Sequence, residues 1–241
     1  MSMLGFSRLA RGMAVGVLLG LLIAAPLRAQ PAADIDPFES FNRSVFEFNE
    51  ALDKAVIKPV AQAYAEYAPQ LLKVSLRNFF SNLVDPWVGV NNLLQGKPLA
   101  AASDFGRFFL NTFLTFGIGD IATELGLESN NEDFGQTLGV WGFEPGPYLV
   151  LPIFGPSSVR DGIGRVTDIR YDLSRELRTG AEFAAVNAVR IIDLRASLLP
   201  AERLMEGAAL ERYSFIRNTY LQRRRNLVYD GNPPSPEEKN Q

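Results

Sequence analysis

Phenylalanine placement constrains this chain most. Of its 17 phenylalanines, 13 lie between Phe38 and Phe143, and many recur at helical spacing. Asp36-Pro37-Phe38-Glu39 reads as a helix start: Asp36 accepts from free amides, Pro37 sits where a missing N–H is harmless, and Glu39 follows three residues on. Phe41, Val45, Phe48, Leu52 and Ala55 then keep one helix face until near Pro59. The other face carries Asn42, Asn49 and Asp53, so this helix is greasy on one side and polar on the other.

A second apolar zone, residues 71–94, holds Leu76, Phe79, Phe80, Leu83, Val84, Trp87, Val88, Leu93 and Leu94. Asp85-Pro86 divides it into two short helices meeting at a kink, because proline cannot donate and the residue before it avoids the α region. Gln95-Gly96-Lys97-Pro98 closes the zone. A third helix follows from about Leu99 to Phe116, with Phe105, Phe109, Phe113 and Phe116 in period and Phe108 and Leu110 widening the apolar surface. A helical core accounts for any single phenylalanine. As a set, short helices greasy on more than one face exceed what a globule of this length needs to bury, and none is long enough to span a bilayer. They suit a protein lying in a membrane interface. Phe79, Phe80, Trp87, Phe105, Phe108, Phe109 and Phe113 are its candidate membrane contacts.

Residues 135–164 change character, with seven glycines and four prolines around Trp141, Phe143, Tyr148, Leu149, Val150, Leu151, Ile153 and Phe154. Glycine frees the backbone and proline fixes it, which predicts an irregular, tightly turned segment packed across the helices. Tyr148–Leu151 fits a short extended piece. From about Ile169 the pattern is helical again, with Leu173, Leu177, Ala184, Ile191, Leu194 and Leu198 on one face and Arg178/Glu182 as an i,i+4 pair. Pro200 opens a last helix through Leu204, Ala208, Tyr213, Ile216, Tyr220 and Leu227, and residues 233–241 form a polar, disordered tail.

The sequence contains no histidine and no cysteine. That excludes a Ser-His-Asp triad, a cysteine nucleophile, Cys/His zinc sites, disulfides and a Cys-linked lipid. Gly117-Ile118-Gly119-Asp120-Ile121-Ala122 matches a dinucleotide fingerprint, but helical spacing precedes it where a strand is required, so a helix C-terminal turn fits better. Glu124, Glu128, Glu132, Asp133 and Glu144 read as a solvated acidic loop rather than a hydrolase pair, which must face across a substrate. Ser157 and Ser158 have no base in reach. Two readings of Arg223-Arg224-Arg225 stand: contact with lipid phosphates, or the basic last turn of a helix.

The first thirty residues pair Arg8 and Arg11 with an apolar run over 12–25, then Pro26 and a small-residue site at Ala29. That order describes a secretory signal peptide over 1–29, and 14 apolar residues fall short of the roughly 20 a spanning helix needs. Its removal takes three arginines and no acid, leaving 212 residues with 21 basic against 27 acidic, net −6. An exported acidic domain of this kind is no nucleic-acid binder.

Several ordered blocks resemble one family. They are Asp36-Pro37-Phe38-Glu39 with Asn42-Arg43 and Asn49; Arg77-Asn78-Phe79-Phe80 with Asn91-Asn92-Leu93-Leu94-Gln95-Gly96; and Gly106-Arg107-Phe108 with Asn111-Thr112 and Gly117-Ile118-Gly119-Asp120. Two more follow: Asp133-Phe134-Gly135-Gln136-Thr137-Leu138-Gly139, and Gly146-Pro147-Tyr148-Leu149-Val150-Leu151-Pro152 through Gly155-Pro156-Ser157-Ser158-Val159-Arg160-Asp161. Together they resemble the VacJ/MlaA proteins over residues 34–232. The resemblance implies an all-α, single, compact, ring-like helical domain over 30–232, set in the inner leaflet of a Gram-negative outer membrane on its periplasmic side. It implies phospholipid taken from the outer leaflet through an amphipathic channel and passed to a soluble periplasmic carrier, beside a trimeric porin, with no cofactor, metal or bond chemistry. Asn42, Asn49, Asp53, Trp141 and Tyr148 are the channel candidates. With net charge −6, lipid entry would be driven by burying its tails. Many family members carry acyl chains on an N-terminal cysteine, which this sequence lacks. The alternative reading is a porin-binding periplasmic adaptor that moves no lipid.

Overall fold

Helix α1 (Glu39–Leu52) starts where the Asp36-Pro37 signal predicts, but without the expected cap. Phe38 holds the N-cap position and no side chain caps the first turn. Asp36 turns inward instead, accepting from Asn42 at 2.7 Å, from Arg217 at 3.2 Å and from the Tyr213 hydroxyl. The computed structural model describes residues 36–176, 179–205 and 211–234. The expected signal peptide at 1–29, the Arg178 partner of Glu182, Leu177, Ala208 and residues 235–241 of the tail lie outside them.

Three prolines expected to end or begin helices do neither. The first run widens into a π-helical turn, Asp53–Ile57, and continues as α2 (Lys58–Tyr67). Pro59 would clash with the carbonyl four residues back and could not donate to it. The wider turn, closed by the Lys58 N–H on the Asp53 carbonyl, absorbs that mismatch just before the ring. Helix α3 (Gln70–Leu94) is one element with Pro86 inside it rather than two meeting at a kink. Pro200 likewise lies within α9 (Gly180–Met205), which packs along α2.

Packing explains why α3 survives its proline. It pairs with α4 (Pro98–Thr115) across a turn that needs Gly96 in the left-handed region (φ 77°). Gly89 leaves room for the Phe105 ring, only 3.1 Å from where a Cβ would stand. Polar rungs cross the interface: Asn82 donates to Thr112 Oγ1 at 2.8 Å and Asn92 to Asp104 at 2.7 Å. Arg107, buried at its centre, donates to Thr123 Oγ1 (2.8 Å), the Leu127 carbonyl (2.9 Å) and Asp120 (3.0 Å). Its Nε lies 3.6 Å from Asp85 Oδ2. Burial pushes the Asp85 carboxyl up to about 7, against the pull of Arg107. These contacts hold the helix together where its own backbone cannot.

Phe116 ends α4 with a left-handed backbone (φ 55°), and Gly117 follows in the same region. The G-x-G-x-x-A match is therefore a helix stop. Asp120 then caps the short α5 (Ile121–Glu124) by accepting from the Thr123 N–H. The 135–164 stretch is more regular than its composition predicts. Asp133 caps α6 (Phe134–Val140); strands β1 (Tyr148–Leu151) and β2 (Gly155–Ser158) form an antiparallel hairpin; Ser158 caps α7 (Val159–Tyr171). The extended piece at Tyr148–Leu151 is β1. Helices α6 and α7 touch at Gly135 and Gly164, where an added Cβ on Gly164 would stand 2.4 Å from the Gly135 nitrogen. Glycine here serves close backbone approach, not loop freedom. Helices α8 (Leu173–Glu176), α9 and α10 (Arg212–Val228) complete a fold of the expected all-α class, with one small hairpin added.

The burial pattern is inverted relative to a water-soluble globule. Among the described residues, polar and charged side chains outnumber hydrophobic ones at buried positions, while Leu99, Phe113 and Phe116 are 86%, 77% and 85% exposed. No helix among the described residues is long and apolar enough to cross a membrane.

Candidate functional site

Helix α1 meets the free edge of β1 through two asparagines spaced seven residues, or two helical turns, apart. The Asn42 side chain donates to the Tyr148 carbonyl (3.0 Å) and accepts from the Val150 N–H (2.8 Å). The Asn49 side chain does the same for the Leu151 carbonyl (3.0 Å) and the Ile153 N–H (2.7 Å). The Asn42 amide replaces the peptide of a missing neighbouring strand, and the Asn49 amide clasps the turn that follows β1. The Tyr148 ring is buried between Tyr213 and Tyr220, and burial pushes its phenol up to about 12.

Beside this clasp, α1, the π-helical turn, the hairpin, α9 and α10 border a half-open cavity of about 590 Å³. That volume falls in the range of small-molecule sites. Its lining mixes apolar side chains, Phe46, Ile57, Ile153, Ile191, Leu194, Leu198, Phe215 and Ile216, with Asn49, Glu50, Asp53, Arg195, Glu202 and Arg212. Helical spacing brings both kinds to the cavity. Phe46, Asn49, Glu50 and Asp53 share one face of α1 and its continuation; Ile191, Leu194, Arg195, Leu198 and Glu202 share one face of α9. Leu194, Leu198 and Ile153 stay at least half exposed there, apolar surface without a protein partner.

The polar side chains form an ion-paired strip along the cavity wall. Arg195 grips Asp53 with two bonds, 2.8 and 2.9 Å, and reaches Glu202 at 2.7 Å. Lys58 also donates to Glu202, at 3.3 Å. Arg212 lies 2.9 Å from Glu50 and 3.9 Å from Glu202, and Lys54 lies 3.9 Å from Glu50. The hydrogen bonding to the Asp53 carboxylate is the main reason the Arg195 guanidinium is raised above its ordinary value. Burial works to push the Glu202 carboxyl up, but Arg195 and Lys58 outweigh it and hold the carboxyl low.

Of the five channel candidates, Asn49 and Asp53 stand on this wall. Asn42 and Tyr148 are fully buried in the clasp and face no open space. Trp141 is half exposed outside the cavity, its indole N–H donating to the Leu94 carbonyl at 2.9 Å. Sequence reasoning missed Glu50, Arg195, Glu202 and Arg212. The available signal was Arg195 and Glu202, charged residues seven apart on the otherwise apolar face of α9.

The membrane-contact candidates divide. Phe109 and Phe113 stack at 6.2 Å between ring centres and stand exposed on α4, in a run that continues through Leu114, Phe116 and Ile118. Phe108 is half-buried edge-on against Phe109, and Phe105 is half-buried against Gly89. Phe79 is half-buried, while Phe80 is buried beneath Arg190. Trp87 is half-buried, stacked on Tyr171 with its N–H on Asp168 at 2.8 Å. In the acidic run, Glu132 holds Lys97 and Asp133 holds Arg224. Arg224, of the Arg223–Arg225 run, points inward to Asp133 and to Asp161 at 2.9 Å.

A chain from Shigella flexneri named intermembrane phospholipid transport system lipoprotein MlaA is 35% identical over 208 residues, 84% of this chain and 82% of that one. The Haemophilus influenzae protein of the same name is 34% identical over 204 residues, 81% and 80% of the two chains. A solved chain from work on the structural basis for maintenance of bacterial outer membrane lipid asymmetry superposes with a TM-score of 0.72 at 36% identity, covering 80% of this chain and 98% of that one. The family model described as MlaA lipoprotein matches residues 34–227, and this protein belongs to that family.

Proposed function

We propose that the protein moves phospholipid out of the outer leaflet of a Gram-negative outer membrane and hands it to a soluble periplasmic carrier, beside a trimeric porin, so maintaining lipid asymmetry. One observation carries this reading: a cavity lined by both apolar and ion-paired side chains, built into a fold that buries many polar groups and exposes large apolar ones. A phospholipid needs both kinds of surface at once, because its tails gain from apolar contact while its head cannot leave polar partners cheaply. No bond need form or break. The relatives named for intermembrane phospholipid transport support the same direction.

The test is purification in mild detergent followed by lipid extraction and mass spectrometry, with leaflet composition measured in a deletion strain. Co-purified phospholipid and phospholipid accumulation in the outer leaflet are expected. No bound lipid and an unchanged leaflet would leave only a porin-binding adaptor.

The exposed rings on α4 hold the protein in the leaflet. Phe109→Asp/Phe113→Asp removes two aromatic contacts, each worth about 1.5–3 kcal/mol when buried, and adds charge. Carbonate washing of membranes is expected to release at least about ten-fold more of this variant than of the unchanged protein. Equal release would remove this helix from the membrane contact.

A further inference from the structure

We propose that Arg212 is the seat for the phosphodiester of the passing lipid, an inference that rests on the lipid-passage reading. Two guanidinium groups line the cavity, and their attachments differ. Arg195, with a side chain 14% exposed, is committed to Asp53 through two bonds and to Glu202 through a third. Turning it toward a ligand would strand Asp53 on the wall. Arg212, 48% exposed, makes one close contact to Glu50 and one long contact to Glu202. Both carboxylates have a second cation: Lys54 beside Glu50, and Lys58 with Arg195 on Glu202. Arg212 therefore turns toward an anion without leaving a carboxylate alone, and Arg195 does not. Arg212 is the exchangeable cation, and Arg195 is a positioning residue that fixes Asp53 and Glu202.

The neighbours of Arg212 select a lipid-borne phosphate over a free one. Phe215 and Ile216, three and four residues further along α10, line the same cavity, and Leu194, Leu198 and Ile153 offer half-exposed apolar surface beside them. A phosphodiester on Arg212 places its attached chains against that wall. Guanidinium–phosphate recognition supplies planar, paired donors, which an ammonium does not match.

Binding is measured on the purified full chain in detergent with two fluorescent probes of identical acyl chains, phosphatidylglycerol and the phosphate-free diacylglycerol. Arg212→Gln is expected to weaken phosphatidylglycerol about ten-fold and leave diacylglycerol within about two-fold. Glu50→Gln, which removes the competing carboxylate, is expected to tighten phosphatidylglycerol about three-fold and not diacylglycerol. Inorganic phosphate is expected not to displace the bound lipid. Should Arg212→Gln fold poorly, Arg212→Lys decides: it keeps the charge but not the paired donors, and is expected to weaken phosphatidylglycerol about three-fold while leaving diacylglycerol unchanged. Equal changes for both probes in both variants, or displacement by inorganic phosphate, would overturn the seat while leaving the lipid cavity standing. Failure of the unchanged protein to bind either probe would overturn the lipid-passage reading and the seat with it.

Discussion

Arg107→Met is expected to destabilise the fold by about 3–5 kcal/mol at pH 8, the range for removing one partner of a buried ion pair. Arg107 is buried between α3, α4 and α5, and its donors meet Thr123, the Leu127 carbonyl, Asp120 and, at longer range, Asp85. Methionine fills much of the volume and answers none of these groups. The pH dependence has a definite sign. Asp85 has a folded value near 7, above its unfolded one, so its contribution is fully present below about pH 4 and is lost as pH rises through 7. Without Arg107 pulling it down, that carboxyl titrates higher still, so the charged form costs more above pH 7. Asp120 behaves oppositely in the unchanged protein. Hydrogen bonds from Thr123, Asn111 and Arg107 overcome its burial and hold it low, so its contribution is present above about pH 4 and is lost as pH falls through its folded value. The variant forfeits part of that gain. The Asp120 loss is already complete at pH 5, so the Asp85 change is what makes the deficit larger at pH 8 than at pH 5. Urea unfolding at the two pH values measures it. Asp85→Asn in the Arg107→Met background is expected to restore about 2 kcal/mol at pH 8, since it removes the stranded charge. A deficit below about 1 kcal/mol, or one that Asp85→Asn does not relieve, would show that this centre is not where α3 and α4 are held.

That centre also shows what the sequence made legible. The phenylalanine spacing located α1, α3 and α4, and Gly117 was readable as a stop because helical period ran up to it. The prolines misled because their cost is local while the compensation is not. Pro86 is tolerated through Asn82, Asn92, Asp104 and Arg107 bridging α3 to α4, and Pro59 through a π turn that no residue pattern announces. The glycines of 135–164 suggested irregularity, whereas Gly135 and Gly164 allow two helices to touch, a fact of pairing rather than propensity. The cavity was half legible for the same reason. Asn49 and Asp53 fell on a polar face readable from α1 alone, but Arg195 meets Asp53 across 142 positions of chain. Spacing assigns residues to a face; only the tertiary fold decides which face meets which. Phe80 and Phe113 have the same composition argument behind them, and packing buried one and exposed the other.

Asn42→Ala is expected to cost about 3 kcal/mol, although the residue is small and uncharged. Its amide answers the Tyr148 carbonyl and the Val150 N–H, both in a buried setting. Each backbone group left unmet there costs about 1–3 kcal/mol, because water cannot replace the lost bond. Asp36 loses one donor but keeps Tyr213 and Arg217, so little is added from that side. Asn42→Asp is expected to be at least as damaging. It retains an acceptor for Val150 but sets a second carboxylate against Asp36, where a 2.7 Å bond now stands. Asn49→Ala makes the contrast. It breaks the same pair of bonds at an exposed site, where water answers the Ile153 N–H, so about 1 kcal/mol or less is expected. The hairpin also presents Ile153, Gly155 and Pro156 to the cavity, so loosening its edge at Asn42 reaches the lipid site through the strand rather than through any contact of Asn42 itself. Hydrogen exchange separates the cases: protection of the Val150 amide falls about 100-fold in Asn42→Ala and stays near its original value in Asn49→Ala. Unchanged Val150 protection in Asn42→Ala would mean that the hairpin is held by its tyrosine packing rather than by the asparagine.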